Sequence, residues 1–252
     1  MKLSKKVEKL IHQLDMSKLP THLGIIPDGN RRWAKKHGKP PSYGHLKGRY
    51  VFERILKFIV RKLPGIKIIT IYAMSLDNFL KRSSRERTFL FKLFKESFEK
   101  LKKEKLIHEL KVKVSFFGKL EMLPADLLKV MEELLLATKD YNERFLNFCI
   151  CYDGREEISH ACKEIAEKVL RKEISPEEID ENLVKNHLYT KGFSPPDLII
   201  RSGGEKRISS FLLYDVGYSE LYFSAKLWPE FDEIELLKAI IDYETRERRF
   251  GK

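Results

Sequence analysis

No stretch of the 252-residue sequence approaches the ~20 consecutive apolar residues needed to cross a bilayer. The first twenty residues, MKLSKKVEKLIHQLDMSKLP, alternate charge with apolar side chains and hold no signal-peptide core. A cytoplasmic protein is expected. Cysteine is scarce: Cys149, Cys151 and Cys162 are the whole complement, with no C-x-x-C pair. An odd, sparse set argues for reduced thiols and against a disulfide frame or a zinc site. Cys149 and Cys151 lie two apart in an apolar run, as buried strand residues do. Repeats, low-complexity tracts and long Pro/Gly/Ser linkers are absent, so nothing divides the chain. Also missing are G-x-x-x-x-G-K-[ST], G-x-G-x-x-G, G-x-S-x-G and H-E-x-x-H. P-loop, dinucleotide, hydrolase-elbow and zincin readings lose their support.

What is present is a soluble-globular composition, 42% hydrophobic and 34% charged, which rules out disorder and fibrous repeats. Lys and Arg number 49 against 37 Asp and Glu, a net charge of +12 that favours anionic partners. Nucleic acid is not expected among them, because no binding module or basic–aromatic stripe is found. Acidic headgroups or a phosphorylated substrate remain. Apolar runs of strand length occur at 22–27, 67–73, 112–117, 145–152, 197–201 and 220–224. Helical periods lie at 43–63, 85–107, 125–139, 155–171, 176–187 and 232–247. Strands apolar on both faces, alternating with helices, predict one α/β domain with a central, mostly parallel six-stranded sheet flanked by helices. Residues 1–20 read as a helical extension of that single domain, 1–252. On the 85–107 helix, Phe89, Leu90, Leu93, Phe94, Phe98 and Leu101 form a broad apolar stripe. By itself it fits core packing against the sheet best; the sharper reading is one wall of a greasy tunnel.

Ligands of open α/β sheets bind beyond the C-terminal strand ends, and three constellations fall there. After the first strand, Asp28, Gly29, Asn30, Arg31, Arg32 and Trp33 combine a hard oxygen ligand, a glycine and a basic helix start. That set suits a Mg²⁺-bound phosphate; a capped helix with a solvated basic face is the plainer reading. After the second strand, Ser75, Leu76, Asp77, Asn78 and Phe79 lead to Lys81, Arg82 and Glu86. By composition this is a good helix-capping stretch. After the fifth strand, Arg201 and Arg207 bracket a Gly203-Gly204 turn that runs on to Ile208 and Ser209, resembling an anion nest. His45, alone in Tyr43-Gly44-His45, reads by itself as structural.

Taken in order, IIPDGNRRWAKK, GHLKG, YAMSLDNF with Lys81-Arg82 and Glu86, LNFCICYDGREEI, PDLIIRSGGEKRISSFLLYDVGYSELYF and LWPEF resemble the cis-prenyltransferases. This is the family of undecaprenyl and dehydrodolichyl diphosphate synthases, and the likeness runs from about His22 to the C-terminus. Arg31-Arg32, and Phe79 in place of a common Trp, look more archaeal or eukaryotic than bacterial. The resemblance implies a hydrophobic tunnel, a homodimer and a Mg²⁺-dependent transferase. Its reaction would condense isopentenyl diphosphate onto farnesyl or geranylgeranyl diphosphate. The product would be a polycis-polyprenyl diphosphate, precursor of a glycosyl carrier lipid, giving peripheral membrane contact. The metal motif of all-trans synthases, D-D-x-x-D, is absent.

Carried over by residue, the resemblance gives Asp28 to Mg²⁺ and diphosphate, with Glu220 as a second metal-associated carboxylate. Gly29, Asn30, Arg31, Arg32, Trp33 and His45 would meet the allylic diphosphate. Ser75, Leu76, Asp77 and Asn78 would reach the reacting centre, with Asn78 in the proton-acceptor role. Phe79, Arg82 and Glu86 match a mobile segment. Arg201, Arg207, Ile208 and Ser209 match the isopentenyl diphosphate clamp. At the C-terminus, 246–252, Arg249-Phe250-Gly251 resembles an R-x-G tail that completes the partner's site. Departures are Pro41 for an Arg, an extra Leu80, Lys206 for a His, and Asp153 for a Gly. The alternative, a non-catalytic partner subunit of a heteromeric prenyltransferase, is disfavoured by Asp28, which such subunits typically lose.

Overall fold

The computed structural model of the chain describes residues 3–246. Helix α1 (Lys5–Gln13) precedes strand β1 (His22–Ile26), which leads into α2 (Asn30–Lys36) and α3 (Pro41–Lys62). Strand β2 (Ile68–Ser75) runs into α4 (Leu76–Lys81), α5 (Ser84–Lys102) and α6 (Lys105–Glu109). Then come β3 (Val112–Phe117), α7 (Ala125–Thr138), β4 (Arg144–Tyr152), α8 (Gly154–Leu170) and α9 (Glu181–Lys185). Strands β5 (Leu198–Arg201) and β6 (Glu220–Phe223) and helix α10 (Glu233–Thr245) complete the order.

The six strands form one sheet, β3-β4-β2-β1-β5-β6, and every pairing is parallel. Strand β1 is buried at all five positions because it lies inside the sheet with helices and loops on both faces. Adjacent side chains alternate faces: Ile71 joins the large core under α3, α5, α7 and α10, whereas Tyr72 joins a smaller core with Tyr152 and Phe211. The amphipathic α1 packs back on α10. Among the described residues no helix is long and apolar enough to cross a membrane.

Two expected helices break. The 85–107 period divides at Lys103–Glu104 into α5 and α6, and 176–187 reduces to a 3-10 turn at Pro176–Glu178 and the short α9. Local capping explains the second break. Ser175 and Glu178 close a capping box, and the Asp180 carboxylate accepts the Leu183 N–H at 2.7 Å. Ser75 fulfils its capping reading, its hydroxyl accepting the Asn78 N–H at 3.1 Å to start α4.

The approach of α3 to α2 aims the loop between β1 and α2. A Cβ on Gly44 would lie 2.1 Å from the Asn30 carbonyl oxygen, so only glycine lets the two helices meet. Gly44→Ala should cost about 2 kcal/mol by overpacking, a loss of roughly 5 °C in Tm for a domain of this size. Gly217→Ala, with nothing within 4 Å of its Cβ, is the control. Equal melting temperatures by circular dichroism would refute the contact.

A buried polar chain crosses the sheet. His22 Nδ1 lies 2.6 Å from the Ser194 carbonyl, which can only accept, so Nδ1 carries the proton and Nε2 accepts the Thr70 hydroxyl at 2.8 Å. Burial holds the His22 ring below its usual pKa, with the Ser194 carbonyl opposing that shift. Below about pH 6.5 the unfolded chain therefore binds a proton that the folded ring refuses. The His22 contribution to stability is complete above that pH and is lost as pH falls toward the folded value. An NMR titration should give a His22 midpoint below about 6.5; a midpoint at or above it contradicts the neutral buried ring.

Candidate active site

Strand β1 ends at Ile26, level with Arg201 on β5, so the loops leaving both strands meet at the C-terminal edge of the sheet. Asp28 and Ser202 lock them together. The Asp28 N–H donates to the Ser202 hydroxyl at 2.9 Å, and that hydroxyl donates back to the Asp28 carbonyl at 2.8 Å. The Asp28 carboxylate then spans two guanidiniums: Arg201 Nη2 donates to Oδ2 at 2.9 Å, and Arg32 Nη2 lies 3.2 Å from Oδ1. Arg201 is 5% exposed, and its other nitrogen donates to the Ser209 hydroxyl at 2.8 Å and to the Arg207 carbonyl. Gly29, at φ 104° in the left-handed region, turns the chain from Asp28 into α2.

A second cluster stands beside the first. Glu86 Oε1, in the first turn of α5, lies 2.9 Å from His45 Nε2, 3.4 Å from Arg82 Nε and 3.9 Å from Arg31 Nε. Burial depresses the His45 pKa while the Glu86 bond opposes it. Both clusters open onto one cavity of about 840 Å³. Its mouth holds Asp28, Gly29, Asn30, Arg31, Arg32, His45, Ser75, Asn78, Arg82, Arg201 and Ser209. Away from these groups its wall is mostly apolar, formed by Phe52 and Leu56 of α3, by Leu90, Leu93, Phe94, Phe98 and Leu101 of α5, and by Phe148 of β4, with Arg49, Glu53 and Ser97 among them.

Other expected residues lie outside the cavity wall. Trp33 is buried between His37 and Tyr43, with ring centroids 4.1 and 6.0 Å away, and packs α2 on α3. Asp77 pairs with Lys81 in solvent at 2.8 Å, and Leu76 packs on the large core. Phe79 is buried against Phe91, at 6.1 Å, and beneath Arg87. Phe89 of the apolar stripe does not reach the cavity. Arg207 is exposed and paired with Glu205, so it is its carbonyl that supports the site; Ile208 packs on the smaller core. Glu220 is level with Leu198, three residues before Phe223, the partner of Arg201. That is roughly 10 Å back along β6, where Glu220 pairs with Arg246 at 2.5 Å. No group of three or more His, Cys, Asp and Glu able to hold a metal occurs among the described residues. Arg249-Phe250-Gly251 lies outside the described residues.

Sequence reasoning missed several wall residues. Arg49 sits one helical turn after His45 on α3, a spacing that marks a shared face. Lys35 lies in the basic run after Trp33, and Lys39, beyond His37-Gly38, carried no signal of its own. Phe52, Leu56, Met74 and Phe148 carried no signal separating cavity wall from core.

A sequence model of the family described as "Putative undecaprenyl diphosphate synthase" matches residues 26–251. A protein of Pyrococcus horikoshii named tritrans,polycis-undecaprenyl-diphosphate synthase (geranylgeranyl-diphosphate specific) is 46% identical over 96% of this chain and 91% of its own length. The protein of the same name from Methanocaldococcus jannaschii is 44% identical, covering 97% and 88%. An isoprenyl transferase of Prochlorococcus marinus is 46% identical, covering 96% and 87%. Among solved structures, lavandulyl diphosphate synthase from Lavandula x intermedia, in complex with dimethylallyl diphosphate, superposes with a TM-score of 0.88. It is 34% identical, covering 94% of this chain and all of that one. The all-parallel sheet, the motifs at its C-terminal edge and a family match over nearly the whole length converge: the chain is a prenyl-group transferase and belongs to the undecaprenyl diphosphate synthase family, the cis-prenyltransferases, as an archaeal-like member.

Proposed function

We propose that the protein condenses isopentenyl diphosphate with an allylic diphosphate, extending it to a long-chain polycis-polyprenyl diphosphate, the precursor of a glycosyl carrier lipid. One observation carries this reading: a single cavity joins an arginine-rich mouth around Asp28 to an apolar depth between α3 and α5. An isoprenoid diphosphate has that same division, a polyanionic head on a hydrocarbon chain. Geranylgeranyl diphosphate is the proposed donor in preference to farnesyl diphosphate, since relatives at 44–46% identity bear that specificity in their names.

The arginines act on the leaving group. As the allylic C–O bond breaks, negative charge grows on the departing diphosphate; the buried guanidinium of Arg201 is already held in place to meet it, and the more exposed Arg31 and Arg32 add charge at the same mouth. The double bond of isopentenyl diphosphate then forms the new C–C bond, and a proton leaves the adjoining carbon. Asn78 lies in the cavity wall, and its amide is too weak a base to take that proton; in this scheme it orients the accepting phosphate oxygen or water. Asp28 suits Mg²⁺, because this ion is usually held by one or two carboxylates plus substrate phosphates rather than by a protein cage, and the Asp28 side chain is partly exposed in the cavity. When bound there, Mg²⁺ would supply charge neutralisation to the diphosphate. Glu220, held by Arg246, enters no step within one chain. The proposed assembly is a homodimer, touching the membrane through its lipid product.

Purified protein incubated with Mg²⁺, labelled isopentenyl diphosphate and a panel of allylic diphosphates tests the reading; no elongated product from any of them would end it. Asp28→Asn preserves the shape and an acceptor for Arg201, and should lower kcat by at least about a hundredfold. Near-normal turnover in that variant would remove Asp28 from the chemistry. Leu93→Trp and Phe94→Ala change the volume of the apolar depth. Each should shift product length while the first condensation persists within about threefold. A drop in Tm with an unchanged product distribution would assign both residues to core packing alone.

A further inference from the structure

The cations of the cavity wall are unequally neutralised. Arg31 and Arg82 face Glu86, Arg32 and Arg201 face Asp28, and Arg49 faces Glu53 and Glu96. Lys35 and Lys39 also line the cavity, yet among the described residues neither ammonium has a carboxylate within ion-pair distance. Lys35 belongs to the last turn of α2. Lys39 lies in the loop before α3, and its N–H donates back to the Ala34 carbonyl at 2.9 Å, which folds the loop over the helix end. The Lys39 ammonium lies 5.9 Å over the Tyr43 ring. Lys36, between them in sequence, is outside the cavity wall and pairs with Glu230 at 3.8 Å.

Two uncompensated charges at the rim of a cavity act at longer range than five that already face acids. An approaching polyanion senses a paired arginine mainly as a dipole, whereas a free ammonium attracts it across about a Debye length. The side-chain chemistry suits the division of labour. A lysine is a point charge with rotatable donors on a flexible stem, fit to catch an anion in any orientation, while the guanidinium forks beyond it fix one geometry. Both lysines continue the segment that carries Asp28 and Arg32, not the Arg201–Ser209 loop beside it.

We infer that Lys35 and Lys39 form an outer anion subsite that captures the diphosphate head of the allylic substrate before it reaches the Asp28 loop. The identity of that substrate rests on the proposed function above; the affinity for a diphosphate does not. Inorganic pyrophosphate binding, followed by calorimetry on the full chain, is therefore measured first. The Lys35→Gln/Lys39→Gln double variant should bind it about tenfold more weakly than Lys36→Gln at low ionic strength. The gap should close near 0.5 M salt, where the Debye length falls to roughly 4 Å. Lys35→Arg/Lys39→Arg should restore binding. In the condensation assay, kcat/KM for the allylic diphosphate should fall in the double variant more than that for isopentenyl diphosphate, with kcat changed less than about twofold. Equal weakening by Lys36→Gln, or wild-type binding by the double variant, would overturn the subsite. So would a larger loss for isopentenyl diphosphate. A wild-type protein that binds pyrophosphate through these lysines but forms no prenyl product would refute the proposed function and leave the anion subsite standing.

Discussion

A guanidinium buried at the end of a strand must be neutralised, and the pairing of Arg201 with Asp28 at 2.9 Å is the contact on which the site depends. Leaving such a charge unpaired costs several kcal/mol, so the loops after β1 and β5 cannot drift apart without that penalty. Everything near them is tied to the same point. Ser202 bridges the Asp28 backbone, and the Trp228 N–H donates to the Asp28 carbonyl at 2.8 Å. The Trp228 indole in turn donates to the Gly48 carbonyl at 2.9 Å, which brings α3 and its His45 into register with the loop. Asp28, through its carboxylate and its backbone together, thus ties three loops and a helix to one point. Its pairing with Arg201 and Arg32 also holds the Asp28 carboxylate in one orientation, the preorganisation that the proposed electrostatic role would need.

The loop carrying Ser209 is held in a costly conformation by the sheet beneath it. Ser209, Ser210 and Leu212 have φ of 52°, 61° and 46°, left-handed values that cost of order 1–3 kcal/mol each outside glycine. The compensation is local. The Gly154 N–H donates to the Ser210 carbonyl at 2.9 Å, and the Tyr72 hydroxyl lies within 3.2 Å of the Ser209 carbonyl and 3.0 Å of the Tyr152 carbonyl. Tyr72 stacks on Phe211 at 4.9 Å and belongs to both the smaller core and the cavity wall. The register of β2 against β4 shifts between Tyr72 and Ser75, so an irregularity in the sheet aims Ser75 at the cavity. Packing on one face of the sheet thereby sets the geometry of the polar mouth at its end.

The sheet was legible because its strands are apolar on both faces, a pattern only a covered parallel sheet explains. Asp28 and Arg201 were legible for a topological reason: ligands gather past the C-terminal strand ends, so charged residues there stand out. Side-chain direction was not. Motif membership cannot tell that Trp33 turns inward between α2 and α3, or that Arg207 faces solvent and serves through its carbonyl. Along α5 the 3.6-residue period located the apolar face but not its breadth, so Phe89 read like Leu93 although only Leu93 reaches the cavity. Glu220 failed to join Asp28 for a related cause. Its position depends on how far β6 slides against β5, and parallel register is fixed by tertiary packing rather than by any local turn.

Charge sharing at the mouth reconciles a crowd of arginines with a stable fold. Seven cations on one cavity wall would repel one another strongly in a partly dry site. Asp28 and Glu86 each serve more than one of them, and Glu86 offers a single oxygen to His45, Arg82 and Arg31. With Glu205 beside Arg32, and Glu53 and Glu96 beside Arg49, the acids are shared among the five guanidiniums, which lets the loops pack, while Lys35 and Lys39 stay outside these pairs. That excess of cations suits an anionic ligand. A diphosphate brings more negative charge than either carboxylate and more oxygens than both together. On the proposed reading it competes with Glu86 for Arg31 and Arg82, which share one oxygen, while Arg201 keeps the Asp28 contact that holds the loops.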